Sequence, residues 1–128
     1  MDIEEHIKHW LNGAEHDIKV ATNLFQAGNY DWCLFIGHIV LEKTLKAIYV
    51  QNNNNKIPPK THKLVKLAKL SFLNLTEDQN ILLDEVTEFN IEVRYPQYKK
   101  EFHKLCTKEY TTKYLISAWP NSNLSLRN

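Results

Sequence analysis

Five side chains in this sequence are of the types that move protons or hold phosphate: His38, Glu42, Lys46, His62 and Arg94. Histidine exchanges a proton near neutral pH. The planar fork of arginine matches the geometry of a phosphate. Cleavage of RNA through its 2′-hydroxyl needs a base such as His38 or His62 beside an arginine such as Arg94. In composition the chain has these parts. The alternative is that each of the five makes a structural polar contact, fixing how helices pack.

His38, Glu42 and Lys46 belong to one stretch, Tyr30–Val50, which reads as a single long helix. Cys33, Leu34, Ile36, Leu41, Leu45 and Ile48 recur every three to four residues, and Trp32, Phe35, Ile39 and Val40 widen the stripe past half the circumference. A helix so wrapped in apolar side chains has to sit centrally and touch several neighbours. Spaced at i, i+4 and i+8, His38, Glu42 and Lys46 form one polar line along it. Glu42 before Lys46 is the favourable order for an intrahelical pair, worth roughly 0.2–0.5 kcal/mol if exposed. Either this line is the solvated edge of a buried helix, or it faces a cleft or a partner.

The remaining elements are also helical. Asp2 caps a first helix to about Gln26, with the apolar line Ile3, Ile7, Trp10/Leu11, Ala14, Ile18, Ala21 and Leu24/Phe25. Ala14 and Ala21 permit a close approach to a neighbouring helix, and Asp17, beside that line, is placed to reach an amine or amide. Gly28 ends the helix, so the first two helices are antiparallel neighbours across a short turn. QNNNNKIPPKT, residues 51–61, reads as a solvent-facing, mobile loop. Thr61 is expected to cap a short third helix carrying Leu64, Leu67, Ala68 and Phe72, with Lys63, Lys66 and Lys69 along its other side. Thr76 and Gln79 form a capping box for a fourth helix burying Leu82, Val86, Phe89 and Val93, which Pro96 ends or kinks. A fifth segment runs from Tyr98 to about Trp119, through Phe102, Leu105/Cys106, Tyr110, Tyr114 and Ile116/Ser117. The expected fold is all-α: an up-and-down antiparallel four-helix bundle with an additional short helix, over residues 1–119, with a flexible tail at 120–128.

Several classes of function are disfavoured. Sixteen Lys and Arg against fifteen Asp and Glu leave a net charge of +1, which argues against a protein working mainly by neutralising phosphates. The lysine row at 63, 66 and 69 keeps a local nucleic-acid contact open. Three glycines, at 13, 28 and 37, build no phosphate loop. His6, His9, His16 and His103 lack zinc-ligand spacing, and Glu85, Glu88 and Glu92 read as a solvated acidic face, so neither a metal nor a cofactor is expected. Cys33 and Cys106 lie on apolar stripes and are expected to be reduced and buried. A charged start without an apolar run, and no apolar stretch long enough to span a bilayer, point to the cytoplasm.

A resemblance adds to this reading. Trp10…Ala14…Asp17…Ala21, Gly28-x-Tyr30, HIVLEKTLKA at 38–47, Thr61-His62-x-Leu64-x-x-Leu67 and Arg94-Tyr95-Pro96, taken in this order, resemble the HEPN family. This helical domain accompanies minimal nucleotidyltransferases and is related to the C-terminal domain of kanamycin nucleotidyltransferase. The resemblance covers residues 5 to 118 and implies a bundle of four to five helices, usually dimeric. One branch of the family consists of metal-independent, toxin-like ribonucleases built on an arginine followed, after four to six residues, by a histidine. Arg94 matches that arginine, but eight residues separate it from His103, so the motif is absent. The branch carrying Arg-Tyr-Pro resembles non-catalytic subunits that pair with a separate nucleotidyltransferase and help bind its substrate or a nucleotide. The resemblance therefore implies a homodimeric partner subunit, with His38, Glu42, Lys46, His62, Arg94 and Tyr95 as its ligand-binding set. A ribonuclease or its relic, and a nucleic-acid-binding module, are the alternatives.

Overall fold

The computed structural model describes residues 1–115, all of whose regular structure is α-helical: α1 (Ile3–Gln26), α2 (Tyr30–Asn52), α3 (Leu64–Leu70), α4 (Glu77–Arg94), α5 (Pro96–Leu105) and a sixth helical stretch, α6, at 108–115. The expected end of the last segment near Trp119, with Ile116 and Ser117, and the expected tail at 120–128 lie outside the described residues.

Helix α1 starts where Asp2 accepts a hydrogen bond from the Glu5 backbone N–H at 2.8 Å. It ends before Gly28, whose φ of +79° turns the chain back in a conformation glycine adopts without a steric penalty. α1 and α2 then pack along each other more extensively than any other pair of helices. Ala14 and Ala21 lie inside this seam, where their small side chains let the two backbones approach. Asp17 on α1 reaches the Lys43 ammonium on α2 at 2.6 Å, tying the outer edge of the pair.

Central α2 touches α1, α3, α4 and α5. Leu34, Leu41, Leu45 and Ile48 form its side of the core, against Leu64, Leu67 and Ala68 of α3 and Val86, Phe89 and Val93 of α4. The far end of the core is aromatic. Phe89 meets Phe102 of α5 at 5.3 Å and Tyr114 of α6 at 5.0 Å between ring centroids, the latter edge-on as ring quadrupoles prefer.

Four local expectations need correction. The loop expected from residue 51 is largely exposed but begins only after Asn52, where α2 ends, and its asparagines are tied down. Asn52 and Asn53 donate to the carbonyls of Ser71 and Leu70 that end α3, and Asn55 binds both the His6 ring and the Met1 carbonyl. Asn54 and Asn55 adopt left-handed φ angles of +53° and +68°, which asparagine tolerates better than other non-glycine residues. Thr61 caps only a turn: its hydroxyl accepts from Lys63 N–H, and Lys63 itself precedes α3. Phe72 leaves the core, because the chain turns at φ +62° there and exposes the ring, while Leu73 packs inward instead. The segment after Pro96 is two helices rather than one, beginning at Pro96 itself and interrupted at Cys106 and Thr107.

The other two junctions follow the sequence. The Thr76 hydroxyl accepts from Gln79 N–H at 3.1 Å and the Gln79 side chain accepts from Thr76 N–H at 2.9 Å, closing the capping box. Tyr95 is extended, as a residue before proline prefers, and separates α4 from α5. Cys33 and Cys106 are free and buried. Burial pushes their thiols up, to about 11 and about 12 respectively, so both stay protonated at neutral pH. Native protein at mildly alkaline pH should therefore leave a thiol-specific disulfide reagent unreacted over minutes, and two thiols should titrate on unfolding. Rapid reaction of either cysteine in the native state would contradict this packing.

Candidate functional site

The polar line of α2 is not a solvated edge. His38 is completely buried, Glu42 is 6 % exposed, and the Lys46 side chain is 12 % exposed. A carboxylate removed from water is costly unless its lone pairs are taken up. Glu42 meets that requirement with both oxygens. Oε1 accepts from His62 Nδ1 at 2.7 Å and Oε2 accepts from Lys46 Nζ at 3.0 Å. Lys46 Nζ also lies 5.1 Å from the centroid of the Trp10 ring, so α1 supplies a third wall to the same charge.

His62 enters from the segment between α2 and α3. Two contacts hold it: its ring to Glu42, and its backbone carbonyl, which accepts from His38 Nε2–H at 3.0 Å. With Nδ1 committed to Glu42, the Nε2 atom of His62 is the nitrogen available to a ligand, on a side chain that is 53 % exposed. His38 lies behind it, the two ring centroids 6.2 Å apart. Since Nε2 of His38 donates, its Nδ1 is the acceptor nitrogen, and among the described residues it has no partner.

Arg94 is exposed at the end of α4, with Nη1 donating to the buried Asn90 side chain at 2.9 Å. Its charge reaches His38 across the α2–α4 seam. Four of the six residues expected from the sequence, His38, Glu42, Lys46 and His62, are thus joined by hydrogen bonds, and Arg94 joins them through the reach of its charge to His38, in two layers. His38, Glu42 and Lys46 form the inner one, while His62 and Arg94, both exposed, form the rim. Tyr95 is half exposed at the α4–α5 junction, and no side-chain hydrogen bond ties it to the set among the described residues.

Burial lowers the His38 imidazole below its ordinary value of 6.5, outweighing the bond to His62 and the Glu42 carboxylate, with His62 and Arg94 adding to the depression. The folded state therefore binds this proton less readily than the unfolded chain. The associated stability is present above pH 6.5 and is lost as pH falls below it. Melting temperature should drop between pH about 7.5 and about 5.5, and should drop less in His38→Gln, which keeps a donor for the His62 carbonyl but cannot titrate. Equal drops in the two proteins would remove His38 from this account.

The lysine row faces company that the sequence did not reveal. Lys63, Lys66 and Lys69 form one bank of an open groove of about 900 Å³, and Asp84, Glu85 and Glu88 of α4 form the other. Acids opposite the lysines offset the attraction of this face for a polyanion. Among the described residues, no three His, Cys, Asp or Glu side chains are placed to hold a metal ion, and no helix is long and apolar enough to cross a membrane.

Sequence reasoning missed Asp31. It precedes His38 by seven residues and Glu42 by eleven, which puts it on the same face of α2. The polar line therefore starts two turns earlier than its charged cluster suggests. Asp31 is buried and accepts from His103 Nδ1 at 3.3 Å. Helical spacing was the available signal, masked by the aromatic residues on either side.

These positions lie in a chain that matches the HEPN domain over residues 7–118. The chain belongs to the HEPN family. The fold of this HEPN domain is also similar to the crystal structure of TT1696 from Thermus thermophilus. That match has a TM-score of 0.74 at 20 % identity and covers 92 % of this chain and 94 % of the other. At that identity the similarity speaks for the shared helical architecture alone. No curated protein matches the sequence.

Proposed function

We propose that this HEPN domain is a non-catalytic binding subunit that receives a nucleotide, or a nucleotide-linked substrate, at the His62–Arg94 rim. In this reading it serves as a homodimeric partner to a separate nucleotidyltransferase. The observation that carries it is the double engagement of Glu42. One buried carboxylate orients His62 and Lys46 before any ligand arrives, so little side-chain ordering is left to oppose binding. Arg94 adds the fork suited to a phosphate.

Calorimetric titration with the four ribonucleoside triphosphates tests the ligand. Binding is expected for at least one, weakened about tenfold or more in Arg94→Ala or His62→Ala, the scale of one lost charge-assisted hydrogen bond. Absence of binding at millimolar concentrations of all four would end this reading. Co-expression with a minimal nucleotidyltransferase should give one co-eluting complex; two independent peaks at micromolar concentration would remove the partner.

The second reading is metal-independent cleavage of RNA, a role the family also contains. The carboxylate-backed His62 favours it. Its Nδ1 is held by Glu42 and its Nε2 points away from that bond, the arrangement by which an oriented imidazole exchanges a proton with a substrate hydroxyl. Arg94, and not a histidine of the four-to-six spacing, would face the phosphate. Cleavage of single-stranded RNA in chelator, lost in both His62→Ala and Arg94→Ala, would replace the binding reading with this one. Intact RNA after prolonged incubation would leave binding alone.

A further inference from the structure

A second carboxylate-backed imidazole lies at the opposite end of the same line on α2. Asp31, in the first turn, has its side chain 6 % exposed and both oxygens engaged. Oδ2 accepts from His103 Nδ1 at 3.3 Å and Oδ1 accepts from the Trp32 backbone N–H at 2.9 Å. His103 belongs to α5, and its side chain is 71 % exposed. With Nδ1 turned to Asp31, its Nε2 is the nitrogen available to a ligand. Lys99 and Lys100 precede His103 by four and three residues and therefore share its face of α5. The four side chains line an open recess of about 350 Å³. Lys99 Nζ is also drawn over the Trp32 ring, 5.0 Å from its centroid, which places that ammonium at the same end of α2.

Three features make this more than a wet surface. A buried acid on one helix reaches an exposed histidine 72 residues further along the chain, fixing the ring from behind. Among the described residues Asp31 is the only acid lining the recess, and both of its oxygens are occupied, so what remains open is donor-rich and positively charged. Two ammonium groups suit the oxygens of a compact oxyanion, and the Nε2 acceptor of His103 suits the hydroxyl of its monoprotonated form. The volume leaves room for a substituent on one of the oxygens.

From this geometry we infer a second anion site in which Lys99, Lys100 and His103 bind the phosphate group of a phosphate monoester, with Asp31 as the positioning residue for His103. It is separate from the Glu42 site. The two acids stand roughly 16 Å apart along the axis of α2, so one phosphate cannot occupy both. The inference stands whether or not the His62–Arg94 rim binds a nucleotide.

Imidazole NMR resonances of the full chain, followed during titration at constant ionic strength, test it. The probes are inorganic phosphate and adenosine 5′-monophosphate, with sodium chloride as the reference salt. The His103 signals should move saturably with either phosphate and not with chloride. Tighter binding of the nucleotide than of free phosphate would identify the monoester as the preferred source; equal affinity would overturn the monoester assignment and leave an inorganic phosphate site. Lys99→Ala and Lys100→Ala, both at exposed helix positions, should each weaken the response about tenfold. Asp31→Asn should disperse the His103 signals and weaken binding in a chain that retains its helical circular dichroism. The response must persist in His62→Ala, which separates it from the other site. No saturable movement of His103 at millimolar phosphate, or an affinity unchanged in both lysine variants, overturns the proposal; should Asp31→Asn fail to fold, the lysine variants decide.

Discussion

Glu42 has to be neutralised where it stands, and much of the surrounding architecture follows from that need. It lies on the central helix, among core residues, where an unpaired carboxylate would cost several kcal/mol. Its two partners come from different directions: Lys46 from the next turn of the same helix, and His62 from the connection that leads into α3. Holding His62 there also fixes the start of α3, because the carbonyl of the same residue is gripped by His38. The carboxylate thus does what an apolar contact cannot, which is to set the position of a loop directionally.

The α2 helix then acts as a spine carrying buried polar groups on one face and apolar groups on the others. Asp31 and Glu42 sit on that one face and each holds the Nδ1 of an exposed histidine supplied by another element. Between them lies His38, fully buried, with a ring nitrogen that has no partner among the described residues. A repeated construction of buried acid behind exposed imidazole leaves both Nε2 atoms outward. Such pairs combine orientation with availability, since the acid fixes the ring while the reactive nitrogen stays accessible. Packing alone would not require it.

Membership of the HEPN family and the similarity to the fold of TT1696 agree with a helical bundle. A shared bundle does not transmit function, because the same helices can present different groups at the same positions. Here the arginine of the Arg-Tyr-Pro turn is present, while His103, which the ribonuclease spacing would have brought closer in sequence, is engaged by Asp31. The polar groups of this chain are therefore organised by Glu42 with His62, and by Asp31 with His103, more than by a contiguous motif.

The helices themselves were legible in the sequence. Apolar spacing placed α1, α2 and α4, Thr76 and Gln79 marked a helix start, and Gly28 and Pro96 marked the breaks, because these are local effects of side-chain pattern and backbone preference. The line from His38 to Lys46 was legible for the same reason: helical periodicity puts those residues on one face. What lay opposite that face was not. Periodicity is a property of one helix, whereas burial of Glu42, its bond to His62 twenty residues away and the bond from Asp31 to His103 depend on where distant segments pack. The exposure of Phe72, the hydrogen-bonded asparagine turn and the division of the last segment into α5 and α6 were likewise settled by long-range contacts and backbone angles that the residue pattern does not encode. Sequence alone determined a helical chain with a polar line on its greasiest helix; tertiary packing decided that the line is buried and that its acids serve two histidines.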